Sequence, residues 1–122
     1  DKEMSLYNSV AIILEKNVAV PDMVIFLQAD TDRLMQNIRM RGREYEKAID
    51  WKYIDALSQV YNEYFFRYDK CPLLIINTND IDFVNNHDDL EEIIQFIRTP
   101  GEGTRYFNPM KSLEQWVFLI LL

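Results

Sequence analysis

The chain has 122 residues, 48% hydrophobic, 27% charged and 13% aromatic, with only three glycines and four prolines. This excludes collagen-like, linker-like and intrinsically disordered chains and gives room for one modest core. A formal net charge of −7 argues against a nucleic-acid binder, which needs a basic face. A single cysteine, Cys71, excludes an intramolecular disulfide or a multi-cysteine metal site and makes a reducing, cytoplasmic setting the default.

In chain order, Tyr7, Val10, Ala11 and Leu14 fall at i, i+3, i+4 and i+7, one stripe of a helix. Ile12 and Ile13 lie off that stripe, so burial on more than one side of this helix is expected. The chain opens at Asp1 directly into this pattern, which suggests a sequence that starts part-way through a longer one. Pro21 ends the helix. Met23 to Leu27 is then a continuous apolar run, the pattern of a strand covered on both faces in a parallel sheet. Asp30 or Thr31 caps a second helix with Leu34, Met35 and Ile38 inward, and Gly42 breaks it.

Asp50 caps a long helix to about Tyr68, with Ile54, Leu57, Tyr61, Tyr64, Phe65 and Tyr68 on its face. This aromatic helix suits either an intramolecular core or a homodimer surface. Pro72 starts a second apolar run, Leu73 to Ile76, and Asn86 caps a helix with the stripe Leu90, Ile93, Ile94 and Ile97. Thr99 to Gly103 is a turn-rich break, and the remainder of the chain reads as a tail. The apolar stretch Trp116 to Leu122 is too short to cross a bilayer, so no membrane span is expected.

Strands alternating with helices predict an α/β fold with parallel pairing. Two such strands alone leave an apolar edge exposed on the first of them. Either another chain or a missing part of this one is therefore expected to complete the sheet.

Arg33, Arg39, Arg41 and Arg43, four of the seven arginines, crowd into one short stretch of an acidic chain. Guanidinium groups match phosphate oxygens bidentately and keep their charge. Such a helix end suits closure over a transferring phosphoryl group. It equally suits a solvated basic face paired with Asp32, Glu44 and Glu46. Arg39 and Arg43 share a helix face if the helix continues that far. A carboxylate among these arginines stays ionised and can accept from a sugar hydroxyl, or serve as an ion-pair partner. Asn77 to Phe83 follows the second strand, where open α/β sheets bind ligands, although Asn and Asp are also ordinary turn residues. His87 reads as a surface residue and Cys71 as a small buried filler. No zinc spacing, Ser/His/Asp order or nucleophile elbow is supported, and no GxxxxGK[ST] loop is present.

The segment Pro21-Asp22-Met23-Val24-Ile25-Phe26-Leu27-Gln28-Ala29, followed by Arg39-Met40-Arg41-Gly42-Arg43-Glu44-Tyr45-Glu46, resembles the deoxynucleoside kinase family. Tyr68 to Thr78, Ile81-Asp82-Phe83-Val84 and Tyr106-Phe107-Asn108-Pro109 resemble its bacterial deoxyadenosine/deoxyguanosine branch. The likeness covers about residues 3 to 109 and is carried by elements in the right order. It implies a P-loop kinase-like three-layer fold with a parallel sheet, of which only the last two strands, a lid at about 37–50 and flanking helices are present. On that reading residues 1–109 are the C-terminal part of the kinase domain and residues 110–122 a tail outside it.

The resemblance further implies transfer of the ATP γ-phosphoryl to the 5′-hydroxyl of a deoxynucleoside, with Mg²⁺ whose ligands lie mainly outside this chain. Arg41 and Arg43 match the lid arginines that neutralise charge in the transfer, and Arg39 and Arg41 fall among the ATP contacts. Glu46 matches the lid glutamate on the sugar 3′-hydroxyl, Tyr53 lies near the nucleoside, and Asp82 and Phe83 match the loop beside adenine. Relatives often carry another lid arginine where Asn37 stands, so Arg39 would have to take over that contact. The phosphate-binding loop and the general base belong to the family's N-terminal half, so the chain is expected to be inactive without that half. The partners implied are ATP, a deoxynucleoside, the missing half and a second copy in a homodimer. The alternatives are another nucleoside or nucleotide kinase of thymidylate kinase type, and a non-catalytic truncated interaction module.

Overall fold

The computed structural model describes residues 2–16 and 19–109. The tail 110–122, with its apolar end, lies outside the described residues. The elements run α1 (Lys2–Glu15), β1 (Val24–Gln28), α2 (Thr31–Arg41), a 3₁₀ turn η1 (Glu44–Glu46), α3 (Trp51–Phe66), β2 (Leu73–Asn77), α4 (His87–Arg98) and β3 (Thr104–Phe107). Every helix and both strands expected from the sequence are present. The architecture is α/β with a wholly parallel sheet in the order β1-β2-β3, as expected of part of a P-loop kinase-like fold. The sheet has three strands rather than two. β3 falls in the stretch read as tail because its four residues alternate between exposed and half-buried, with no continuous apolar run.

The chain divides into two compact units, one of residues 1–22 and 29–71, the other of residues 23–28 and 72–122. In the second unit, β2 is the centre of the sheet. Its register pairs Leu74 with Ile25 and Arg105, and Ile76 with Leu27 and Phe107, so these six share one face. Leu74 and Ile76, both 0% exposed, join Ile81 and Ile93 in a core against which Met23, Phe83, Phe96, Ile97 and Phe107 pack. Phe96 and Phe107 stack at 4.4 Å between ring centroids. The same face of β1 is not covered: Ile25 is 39% and Leu27 45% exposed. β1 also ends the strand order, so the edge expected on the first strand is there, and β1 is not buried on both faces as its composition suggested.

In the first unit, α1 turns Val10 inward, with Tyr7, Ala11 and Leu14 half-buried beside it. Ile12 and Ile13 contradict the expectation of burial on a second side: they are 63% and 70% exposed. Nothing among the described residues covers that side of the helix. On α3, Ile54, Val60, Tyr64 and Phe65 are buried, so its aromatic face is used within the chain. Tyr64 stands near Tyr7 and meets Phe65 edge-on at 5.1 Å. Its hydroxyl donates to the carboxylate of Glu15 at 3.0 Å, and the Lys70 ammonium reaches the same carboxylate at 2.8 Å. These contacts fasten the end of α1 to the far end of α3.

Candidate functional site

The arginine segment is shaped by the way α2 stops. Asp30 caps the helix start by accepting from the Arg33 N–H at 2.8 Å. At the other end Gly42 adopts φ 64° and ψ 23°, and its N–H donates to the Arg39 carbonyl. A side chain in that left-handed conformation costs about 1 kcal/mol, which is why glycine stands there. Arg39 and Arg41 sit in the last turn, where the helix dipole favours cations. The helix does not continue to Arg43, so Arg39 and Arg43 do not share a helix face. Arg43 instead precedes η1, which folds the chain back through N–H bonds from Glu46 to Arg43, Lys47 to Glu44 and Ile49 to Glu46.

That turn carries the Glu46 carboxylate to the arginines. Arg41 Nη2 lies 2.6 Å from Glu46 Oε2, and Arg43 Nε lies 4.0 Å from Oε1, beyond hydrogen-bonding reach. The Glu46 side chain is only 12% exposed, against 48% for Arg41 and 53% for Arg43. Glu46 Oε1 is buried and has no hydrogen-bond partner among the described residues. A buried acceptor left without a donor costs roughly 1–3 kcal/mol, which a ligand hydroxyl would offset. The two half-exposed guanidiniums keep N–H donors directed at solvent. Glu44 pairs with Lys47 at 2.8 Å, and Arg43 Nη1 donates to the Tyr45 hydroxyl at 3.2 Å. Asp32, one of the carboxylates expected to offset the arginines, accepts from the Trp51 indole instead.

Arg41, Arg43 and Glu46 are thus brought together. Arg39 lies on α2, with its Nε–H on the Met35 carbonyl at 3.3 Å. Tyr53 is 53% exposed in the first turn of α3, its backbone N–H held by the Asp50 cap. Sequence reasoning missed Tyr45 as a partner of Arg43, and it missed the bond from Trp51 to Asp32. No spacing rule signals either one.

Asp82 and Phe83 belong to the second unit. The loop leaves β2 where Asn77 pairs with Gln28, at the carboxyl ends of two strands, and Thr78 bonds back to the Gln28 carbonyl through both N–H and hydroxyl. Asp82 Oδ1 accepts from the Val84 and Asn85 N–H groups and Oδ2 from the Asn85 amide, while the Asp82 N–H donates to Asp89 Oδ2. Its carboxylate therefore holds the turn. Phe83 is half-buried against the Leu74–Ile76 core. His87 is exposed, with Nε2 3.6 Å from Glu91. Cys71 is half-buried and hydrogen-bonds with the Tyr68 hydroxyl at 3.3 Å.

Among the described residues, no three histidine, cysteine or carboxylate side chains come together as a metal site. Among the same residues, no helix is long and apolar enough to cross a membrane.

The family model described as deoxynucleoside kinase matches residues 1–100. A deoxyadenosine/deoxycytidine kinase of Bacillus subtilis is 26% identical over 87 residues, covering 71% of this chain and 40% of the relative. A deoxyadenosine kinase of Dictyostelium discoideum is 27% identical over 111 residues, covering 88% of this chain and 42% of the relative. A deoxyguanosine kinase of Bacillus subtilis is 24% identical over 100 residues, covering 79% and 48%. The chain spans less than half the length of these curated relatives. No solved structure matches it significantly. With the family model matched over most of its length, the chain belongs to the deoxynucleoside kinase family.

Proposed function

We propose that this chain is the C-terminal part of a kinase that transfers the ATP γ-phosphoryl to the 5′-hydroxyl of a deoxynucleoside, with purine deoxynucleosides ahead of others. The observation that carries the reading is the Glu46 carboxylate. One oxygen is held by Arg41 at 2.6 Å and the other is buried without a partner. A sugar hydroxyl donating to Oε1 would complete it. In the same reading Arg41 and Arg43 take the phosphate oxygens and oppose the charge of the transfer. Arg39 adds a further ATP contact and Tyr53 borders the nucleoside.

Asp82 and Phe83 form the adenine-side loop, Asp82 by holding the backbone turn and Phe83 by its ring. The remaining part of the protein supplies the phosphate loop, the general base and the Mg²⁺ ligands. It also covers the half-exposed Ile25 and Leu27 of β1. The longer protein is taken to be cytoplasmic and homodimeric.

The test is a phosphorylation assay on the 122-residue chain and on the chain extended by the coding sequence upstream of Asp1. The extended protein is expected to phosphorylate deoxynucleosides with ATP and Mg²⁺, and the shorter chain to be inactive. Arg41→Ala in the extended protein should lower kcat by about 100-fold, the scale of losing one charge-stabilising donor. Turnover by the short chain would overturn its assignment as an incomplete part. Acceptance of nucleoside monophosphates in place of nucleosides would move the assignment to a thymidylate kinase type. An extended protein with neither activity would favour a non-catalytic module.

A further inference from the structure

The arginine segment is an excursion that closes on itself. The 11 residues of α2 carry the chain about 16 Å from its start to Arg41. Yet at Trp51, the first residue of α3, the chain is again at the start of α2: the Trp51 indole N–H donates to Asp32 Oδ1 at 2.8 Å. A second bond lies beside it. The Thr31 hydroxyl donates to Asp55 Oδ1 at 2.6 Å, and Gln59 holds the other oxygen of Asp55 at 2.9 Å. Thr31 is 8% exposed, whereas Trp51 is 47% exposed. The inner bond therefore belongs to the packing of α2 on α3, and the outer one can open without unfolding it. Everything the site needs from this unit apart from Tyr53 lies between the two ends of the outer bond: Arg39, Arg41, Arg43 and Glu46.

We propose that Asp32 and Trp51 are positioning residues, a latch that closes the base of the arginine loop and fixes where Arg41, Arg43 and Glu46 stand. The latch touches no reacting atom. It limits the paths open to residues 42–50, because the segment closed at Asp32 and Trp51 is shorter than the one the Thr31–Asp55 bond closes by itself. Its role in catalysis rests on reading the arginine segment as the phosphate site, but its mechanical role does not.

Hydrogen exchange on the full 122-residue chain separates the two. Asp32→Ala and Trp51→Phe should each speed exchange of the Glu46, Lys47 and Ile49 amides by about fivefold, the change one exposed hydrogen bond carries. The double variant should be no faster than either single one, because both break the same bond. Asp32→Asn should stay close to the parent, since its carboxamide oxygen still accepts from the indole. Unchanged exchange in Trp51→Phe, or Asp32→Asn as fast as Asp32→Ala, would overturn the latch.

Inorganic tripolyphosphate is the probe for the site. It should protect the same amides in the parent chain and bind about fivefold more weakly to Asp32→Ala. By charge alone, removing a carboxylate from this neighbourhood would strengthen anion binding, so a weaker complex identifies positioning. Tighter binding to Asp32→Ala would overturn the positioning role. Failure of tripolyphosphate to protect the parent would count against the phosphate reading, while the exchange pattern of the variants still decides the latch.

Discussion

The Glu46 loop and the Asp82 loop use their carboxylates in opposite ways. Asp82 accepts three hydrogen bonds from the turn it begins, and both its oxygens are occupied. Glu46 is held on one oxygen by Arg41 and has no hydrogen bond on the other, although that oxygen is buried. The surroundings differ in the same sense. The Asp82 loop rests on a core containing Leu74 and Ile76, with Phe83 packed into it. The Glu46 loop is rimmed by half-exposed guanidiniums. The Asp82 loop fills its own acceptors, whereas the Glu46 loop leaves one open at some cost in stability, the opening that the proposed function fills with a ligand hydroxyl. Side-chain identity alone does not separate these cases, because a carboxylate is available to either use.

The largest effect should come from the floor beneath the self-held loop. Ile76→Ala removes a side chain that is 0% exposed and should destabilise the chain by about 3 kcal/mol in urea unfolding. Leu27→Ala sits beside it on the same face of the sheet but starts 45% exposed, and should cost about 1 kcal/mol. If the rest of the protein covers β1, that gap should narrow in the extended protein. Equal costs in the short chain would mean that β1 is covered already.

Next in size is the contrast between the carboxylates themselves. Asp82→Ala releases two backbone N–H groups and should cost about 1–2 kcal/mol of stability, read as a lower midpoint in urea. Glu46→Ala breaks an ion pair whose arginine is half-exposed and removes an unsatisfied acceptor. It should cost less than about 1 kcal/mol. A Glu46 variant as unstable as the Asp82 variant would make Glu46 a structural residue and remove the basis of the comparison.

Much of this was legible in the sequence, for identifiable reasons. The caps Asp30, Asp50 and Asn86 accept N–H groups two or three residues on through their own side chains, and the breaker Gly42 acts through its own backbone, so local chemistry placed α2, α3 and α4. β2 announced itself because all four of its apolar residues are buried. β3 did not, because an alternating strand of four residues gains its place from pairing with β2 rather than from its own composition. Ile12 and Ile13 misled in the other direction, since apolar composition specifies what a helix would bury and not whether the partner is in the same chain. Clustering made the arginines visible. The bond from Trp51 to Asp32 was not visible, because it depends on the return path of the loop, and no spacing encodes that.

The smallest predicted effect lies in the first unit, away from both loops. The Lys70 ammonium and then the Tyr64 hydroxyl hydrogen-bond to Glu15 and hold its carboxyl below the ordinary value of 4.5. A depressed carboxyl contributes stability above its unfolded value and loses it as pH falls through the folded one. Tyr64 is pushed up to about 12 by burial and then by its bond to Glu15, and Tyr68 to about 12 by its bond with Cys71 and then by burial. Raised phenols contribute in full below their ordinary value of 10, and the contribution disappears as pH rises through about 12. Tm measured against pH should therefore fall below about pH 4.5 and again above about pH 10. Glu15→Gln should flatten part of the acid limb, because no carboxylate is left there to protonate. It should also weaken the alkaline limb, since Tyr64 loses the neighbouring charge that opposes its ionisation. An acid limb unchanged in Glu15→Gln would show that carboxylates elsewhere set it, and that the fastening of α1 to α3 draws nothing from this ion pair.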